Sequence, residues 1–198
     1  MTKRLVLASN NGKKIRELGA ILAASGLHIQ PQSDFGIGEV AETGATFIEN
    51  ALIKARHAAA ASALPAIADD SGLCVPALGG APGIYSARYS GAGDAGNNHK
   101  LLAALAGSAD RRAYYACLIV YLRHADDPLP LIAQGLWHGT IAETPRGDGG
   151  FGYDPLFIPD GYTQTAAELG VAEKNRISHR AKALAAFAAA YGQIAEER

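Results

Sequence analysis

The spacing of apolar positions changes from segment to segment in the first third of the chain. Residues 5–8 are uniformly apolar, which is typical of a buried strand, and the SNNG run at 9–12 has the composition of a turn and a helix start. From Lys13 apolar residues recur at helical spacing until Gly26, and residues 46–61 repeat that spacing. The pattern predicts a strand followed by two amphipathic helices.

The rest of the chain mixes strand-like and helical segments in no regular order. Two short apolar runs flank the DDSG sequence at 69–72, which predicts two strands joined by an acidic turn. The segment 79–96 is rich in Gly and Ser and is expected to be a loop. The other predicted elements are a helix at 97–106, strands at 114–122 and 131–141, a turn at 147–153, a strand at 155–158, and a helix from His179 with Leu184, Phe187, Tyr191 and Ile194 on its apolar face. The fold class is α/β without the alternation of a doubly wound sheet.

Composition narrows the class of protein further. The chain has 198 residues, 48% of them hydrophobic, and a net charge of −1, which fits one globular domain over residues 1–198 and disfavours a nucleic-acid partner. No apolar run approaches the roughly 18 residues of a membrane span, so we expect no membrane partner. Cys74 and Cys117 lie in apolar surroundings, which favours buried thiols in a reducing cytoplasm over a disulfide.

Cations crowd the start of the first predicted helix, where the helix dipole disfavours them. Lys13, Lys14 and Arg16 follow a strand and a Ser/Asn/Gly turn, an arrangement suited to binding phosphate. Any one of these lysines is better interpreted as a solvated surface residue. The segment lacks the spacing of a Walker motif, and alone it is a weak signal.

Two further groups of residues carry possible chemistry. Alone, Asp69 and Asp70 are typical of an ordinary turn. The alternative is that the two carboxylates form a hard oxygen site for Mg²⁺, or a metal ligand beside a general base, with Glu42 as a further candidate ligand. Near the C-terminus, Ser178 is a predicted N-cap that places His179 and Arg180 at the unfavourable end of a helix. Ordinary surface basicity is the alternative interpretation, but the repetition of the arrangement favours a shared anionic ligand. The other histidines show no zinc spacing, and no Gly-x-Ser-x-Gly elbow is present.

Taken together, these segments resemble the Ham1-like inosine/xanthosine triphosphate pyrophosphatase family over nearly the whole chain. The matching blocks are SNNGKK (9–14), ETGATFIENALIKA (42–55), ADDSGL (68–73), GGAPGIYSARYSG (79–91), GGFGYDPLF (149–157) and AEKNRISHR (172–180). The resemblance implies an elongated α/β domain of two lobes around a long curved mixed sheet, with an active-site cleft between the lobes, and a homodimer. It also implies Mg²⁺-dependent hydrolysis of a nucleoside triphosphate to monophosphate and pyrophosphate, which would clear inosine- and xanthosine-type nucleotides from the pool.

Carried over by position, the resemblance assigns Asp70 as the metal-linked general base and Glu42 as a second magnesium ligand. The residues it assigns to the phosphates, sugar and base are Ser9, Asn10, Asn11, Gly12, Lys13, Lys14, Lys54, Ser71, Phe151, Gly152, Tyr153, Asp154, Lys174, His179 and Arg180. Some relatives have two acidic residues before the Thr-Gly, where this chain has Ala41 and Glu42. If the first of these two positions holds the magnesium ligand in the family, Glu42 is not that ligand. The loop at 92–98 is also shorter than in some bacterial relatives.

Two other functions compete with this interpretation. The Maf-type pyrophosphatases, which take modified pyrimidine nucleotides, share a basic opening turn, but the SHR and FGYD blocks favour the purine family. A nucleotide sensor that binds without hydrolysis is a different class of protein. The presence of Glu42, Asp69 and Asp70 argues against a sensor.

Overall fold

A computed structural model describes residues 4–23 and 28–196. The chain divides into two compact units, which we call unit 1 and unit 2. Unit 1 contains the residues up to 70, residues 117–135 and those from 180 onward, and unit 2 contains 71–116 and 136–179. Each unit has its own hydrophobic core.

The described residues form six strands and five α-helices, interrupted by three short 3₁₀ segments. The strands are β1 (Arg4–Leu7), β2 (His28–Pro31), β3 (Ala66–Cys74), β4 (Arg112–Leu122), β5 (Leu131–Ile141) and β6 (Phe157–Pro159). The helices are α1 (Gly12–Ala23), α2 (Phe47–Ser62), α3 (Gly93–Ala104), α4 (Val171–Ile177) and α5 (His179–Glu196).

The strands form one sheet in the order β2-β1-β3-β4-β5-β6. Strand β1 pairs in parallel with both β2 and β3, while β5 and β6 pair antiparallel. The sheet is therefore mixed, and the predicted α/β class without a doubly wound order is confirmed. Parallel pairing of β1 and β3, with Leu7 opposite Ile67, brings the turn after β1 alongside Asp69 and Asp70 in the middle of β3.

Two apolar clusters form the core of unit 1. In the first, α1 and α5 pack on the sheet through Leu18, Leu184 and Phe187, all of them buried. In the second, the alanines of α2 pack against small residues of the sheet such as Ala68. Small side chains on both surfaces let the backbone of α2 approach the strands closely.

The core of unit 2 is built from larger side chains. Tyr115, Trp137, Leu156 and Phe157 pack with Leu101 of α3, and all are buried. The ring contacts include Tyr115 edge-on to Phe157 at 4.9 Å and Trp137 tilted on Phe157 at 5.0 Å. Such aromatic pairs add to the stabilisation that their buried area provides.

The predicted acidic turn is wrong, because β3 continues through Asp69, Asp70, Ser71 and Gly72 without interruption. A strand forms despite the turn propensity of these residues because both aspartates are ion-paired. The ion pairs compensate for burying carboxylates inside a strand.

Other element boundaries also differ from those predicted. The expected loop at 79–96 is too long, since α3 already begins at Gly93. Strand β2 and helix α4 were not predicted: the first is four residues long and ends in proline, and the second has only seven residues. Gly26, the predicted end of the first helix, and the side chains of Ile21 and Ile194 lie outside the described part of the chain.

Candidate active site

The turn between β1 and α1 is organised by its own polar side chains. Ser9 Oγ accepts a hydrogen bond from the Asn11 N–H at 3.2 Å, and Asn11 Oδ1 accepts one from the Lys14 N–H at 3.2 Å. Asn11 thus caps the N-terminus of α1, while Asn10 and Gly12 are exposed. The side chain of Lys13 lies outside the described residues. The predicted strand–turn–helix is confirmed, and it presents helix N–H groups and Lys14 together.

Helix α2 delivers a lysine to two carboxylates. Its start is fixed by a capping box, in which Thr46 Oγ1 accepts from the Glu49 N–H and Glu49 Oε2 accepts from the Ala45 N–H. Farther along the helix, Lys54 Nζ lies 2.8 Å from Glu42 Oε1 and 2.9 Å from Asp70 Oδ1. Two acids that are distant in sequence therefore meet at one ammonium group.

The neighbouring carboxylate, Asp69, has a different set of partners. Its Oδ2 lies 3.0 Å from Lys14 Nζ and 3.7 Å from Nη2 of Arg180 in α5. The Asp69 and Arg180 side chains are almost completely buried, at 1% and 3% exposure. We call Lys14, Glu42, Lys54, Asp69, Asp70 and Arg180 the charge cluster; all six belong to unit 1.

The two adjacent aspartates have opposite pKa shifts. Burial would raise the pKa of Asp69, but Lys14, Arg180 and Lys54 together hold it well below its usual range. Burial raises the pKa of Asp70, and Lys54 opposes that rise without cancelling it. Burial alone would lower the pKa of Lys54, yet Asp70, Asp69 and Glu42 keep it above its ordinary value. Asp69 therefore stays charged to lower pH than Asp70, which is the carboxylate with the greater affinity for a proton.

The donor set of the charge cluster suits magnesium. Among the described residues, no group of three His, Cys, Asp or Glu side chains is arranged to hold a metal ion alone. Mg²⁺, however, is typically bound by one or two carboxylates together with substrate phosphates and water. Glu42 and Asp70 supply two such carboxylates, both oriented toward Lys54. These two residues are the ones that would hold the ion.

A second constellation, in unit 2, is built on the loop 150–154. Asp154 is buried, and its Oδ2 accepts from the Phe151 N–H at 2.8 Å and from Lys174 Nζ at 2.6 Å. The same ammonium lies 4.8 Å from the centroid of the Phe151 ring. A Cβ at Gly150, where φ is +74°, would meet Asp154 Oδ2 at 2.0 Å, so the turn requires glycine.

His179 lies in a stack of rings in the same unit. Its imidazole lies 4.7 Å from the Tyr115 ring with an interplanar angle of 10°, and 6.2 Å from Trp137 with an angle of 16°. Tyr115, Trp137, Phe157 and His179 form what we call the aromatic cluster. Tyr153 adds a buried hydroxyl that donates to the Ser86 carbonyl at 2.9 Å, and burial raises its pKa.

The structure thus places the predicted site residues in two groups. Unit 1 brings Lys14, Lys54, Asp70, Glu42 and Arg180 into the charge cluster, next to the β1–α1 turn. Unit 2 contains Ser71, half-buried on β3, together with loop 150–154, Lys174 and His179. Four residues that contact these groups were not among the predicted site residues: Tyr115, Trp137, Asp94 and Asn98. The apolar run of β4 and the alternation of β5 mark the first two as core residues, but no sequence signal indicated Asp94 or Asn98.

Two general expectations can be compared with the described residues. Across 4–23 and 28–196, the structure has no helix with the length and hydropathy needed to cross a bilayer. Cys74 and Cys117 are buried free thiols, as predicted, and burial is the main cause that raises the pKa of Cys117 to about 12.

Comparison with known proteins identifies the class to which this fold and these residues belong. The family model described as the Ham1 family matches residues 5–190, and the chain belongs to that family. Among its relatives, a dITP/XTP pyrophosphatase of Ralstonia nicotianae is 59% identical over 188 residues, which cover 92% of this chain and 94% of the relative. Another, from Aromatoleum aromaticum, is 60% identical over 186 residues, covering 93% and 94%. The solved structure of a HAM1 protein from Coxiella burnetii has a TM-score of 0.92 and 46% identity, with 97% of this chain and 100% of that one covered.

Proposed function

We propose that this chain hydrolyses dITP, ITP and XTP to the monophosphate and pyrophosphate, and so removes these aberrant purine nucleotides before they enter DNA or RNA. The names of its relatives support this activity. The observation that carries the proposal is the ammonium of Lys54 shared by Glu42 and Asp70, because it unites a cation for phosphate with two carboxylates suited to Mg²⁺.

The charge cluster accounts for the chemical step. A triphosphate carries about four negative charges at neutral pH, and these repel an attacking water. Lys14 and Lys54, with the helix N–H groups after Asn11, would bind the phosphates and stabilise charge as it moves to the leaving pyrophosphate. Bound Mg²⁺ would supply Lewis-acid stabilisation of the same charge. Asp70, whose raised pKa makes it the better base of the two aspartates, would orient the water and take its proton.

Selectivity for the base would come from unit 2. Hypoxanthine and xanthine carry an oxo group where adenine carries an amino donor, so N–H donors at that position favour the first two. The backbone N–H groups of Phe151 and Gly152 already donate to Asp154 and Asp94. We therefore assign recognition of the oxo group to side-chain donors, Lys174 and His179, with Arg180 as a further candidate.

A panel of ITP, dITP, XTP, ATP and GTP, assayed for pyrophosphate release with and without Mg²⁺, tests the proposal. We expect kcat/KM for ITP and XTP to exceed that for ATP and GTP by a factor of roughly 10² or more. Equal hydrolysis of ATP and ITP would refute the selectivity, and full activity in chelator would refute the metal.

The position of attack needs a separate experiment. Hydrolysis in ¹⁸O-labelled water should place the label in the monophosphate, as attack on the α-phosphorus requires. Label recovered in pyrophosphate, or release of a diphosphate and inorganic phosphate, would contradict the proposed reaction.

We further propose that the chain acts in the cytoplasm as a homodimer of one domain per subunit, without nucleic-acid or membrane partners. Two buried free thiols support a reducing compartment. The dimer is an expectation from the family resemblance, and light scattering at micromolar concentration tests it. A mass of one chain, 20.5 kDa, would contradict it.

A further inference from the structure

The peptide groups of Gly152 are held on both sides by helix α3. Asp94 Oδ2 accepts from the Gly152 N–H at 2.8 Å, and Asn98 Nδ2 donates to the Gly152 carbonyl at 2.9 Å. Asp94 and Asn98 are four residues apart on the helix, so they share one face. Gly152 has a φ of +64°, a conformation that residues with side chains rarely adopt. We call this pair of contacts the Gly152 clamp.

The clamp lies between the two functional ends of loop 150–154. Phe151 precedes Gly152, and Asp154, which binds Lys174, follows two residues later. Beside the clamp, the loop is held by the Asp154 carboxylate on the Phe151 N–H and by the Tyr153 hydroxyl on the Ser86 carbonyl. The Phe151 carbonyl, in the same peptide group as the Gly152 N–H, accepts from the Asp154 N–H at 3.3 Å. Helix α3 adds the contacts to the Gly152 N–H and to the Gly152 carbonyl, so the orientation of both peptide groups depends in part on α3.

For the stability of the fold alone, Asn98 is less favourable than an apolar residue of similar size. The residue is buried, and its Oδ1 accepts no hydrogen bond from any described residue. A buried acceptor without a donor is unfavourable, whereas an apolar side chain of similar size carries no such cost. The side-chain amide of Asn98 cannot be flipped, because its oxygen would then face the Gly152 carbonyl oxygen. What Asn98 provides and an apolar residue cannot is the hydrogen bond to the loop.

We propose that Asp94 and Asn98 are positioning residues for selection of the base, acting through Gly152 on the Phe151 ring and the Asp154–Lys174 pair. The inference rests on the proposed function, since it assumes that loop 150–154 meets the base. Misplacement of a recognition group by about 1 Å is enough to lower catalytic efficiency substantially. Loss of either clamp contact should therefore weaken purine recognition and leave the binding of phosphates unchanged.

The test uses Asn98→Ala and Asp94→Ala in the full-length protein with Mg²⁺, with His99→Ala as a matched control on the same helix, since His99 is exposed. For both clamp variants we expect KM for ITP to rise roughly three- to tenfold, the effect of one hydrogen bond. The ratio of kcat/KM for ITP to that for ATP should fall similarly. The kcat with ITP and the Ki of inorganic tripolyphosphate, which has no base, should stay within twofold.

Two further variants separate positioning from folding. Asp94→Asn keeps an oxygen that accepts from Gly152 and should restore near-normal KM. Asn98→Leu should melt at the same temperature as the wild type or higher, yet show the raised KM. An unchanged KM and selectivity in both alanine variants would overturn the clamp, as would an equal rise in the tripolyphosphate Ki.

Failure of the proposed function gives a different result. If the wild type releases no pyrophosphate from ITP, the proposed activity fails, and the clamp is then judged by calorimetric binding of ITP. Equal affinity in wild type and Asn98→Ala would overturn it in that case too.

Discussion

Unit 1 and unit 2 bury charge in different ways. In unit 1, three cations and three carboxylates are linked in one charge cluster, where Lys54 contacts two acids and Asp69 contacts two bases. In unit 2, the buried Asp154 carboxylate contacts Lys174 and the Phe151 N–H, and the Lys174 ammonium lies 4.8 Å from the centroid of the Phe151 ring. Under the proposed function, the charge cluster would meet the phosphates and loop 150–154 would meet the base.

The difference shows why the adjacent residues Asp69 and Asp70 should have distinct functions. Asp69 is enclosed by Lys14 and Arg180, which keep it charged, so it resembles a structural counter-ion. Asp70 faces Lys54 and Glu42 and is less strongly compensated. Mutations that remove one charge at a time distinguish these functions, and the expected effects below run from largest to smallest.

The largest effect is expected for Asp70→Asn. The amide keeps the shape of the side chain but neither accepts the proton of water nor binds magnesium well, so kcat should fall by a factor of about 10²–10⁴ or more. Binding of ITP, measured by calorimetry, should change far less. Glu39→Gln, an exposed acid of the same unit, serves as the control. Near-normal kcat in Asp70→Asn would remove this residue from the mechanism.

The next largest effect is expected on the free energy of unfolding, compared between Asp69→Asn and Asp154→Asn. Removal of one partner from a buried ion pair typically costs about 3–5 kcal/mol, because the remaining charge is buried without compensation. Asp69→Asn removes the carboxylate that two buried cations share, Lys14 and Arg180, whereas Asp154→Asn removes the one that is ion-paired with Lys174. Urea unfolding should therefore show the greater loss in the free energy of unfolding for Asp69→Asn. The reverse order would mean that charge number does not distinguish the two units.

The contribution of Asp69 should also depend on pH. Its pKa in the folded protein lies below the unfolded value of 3.8, so its charged form stabilises the fold at every pH above that value. As pH falls from 3.8 toward the lower folded pKa, the contribution disappears. The difference in unfolding free energy between wild type and Asp69→Asn should be constant from about pH 5 to 7 and shrink below about pH 4. A difference that grows on acidification would contradict the lowered pKa.

Some of the structural features of the two units were predictable from the sequence. Local patterns gave the turn after β1, helix α2 with Lys54, and strands β4 and β5, because caps and apolar spacing act over a few residues. Continuation of β3 through Asp69 and Asp70 was not predictable in this way, since the stabilising partners Lys14 and Arg180 come from distant parts of the chain. The stack of His179 on Tyr115 and the clamp on Gly152 are likewise contacts between distant residues, which spacing does not encode.

The smallest effect is expected for Thr46→Ala, which removes a local contact of unit 1 and no charge. Thr46 Oγ1 accepts from the Glu49 N–H at 3.3 Å and donates to Glu49 Oε2 at 2.9 Å. Loss of an N-cap side chain typically costs about 1 kcal/mol, which lowers Tm by about 2–4 °C in a protein of this size.

Lys54 lies two turns farther along α2 and is held by Glu42 and Asp70, so it should keep its position in Thr46→Ala. We therefore expect kcat/KM for ITP to stay within twofold of the wild type while scanning calorimetry shows the lower Tm. Ser62→Ala, which removes two hydrogen bonds of a hydroxyl at the other end of the same helix, is the matched control. If Thr46→Ala reduced activity tenfold and Ser62→Ala did not, the position of Lys54 would depend on the helix start, and the ion pairs would not be sufficient to hold the charge cluster together.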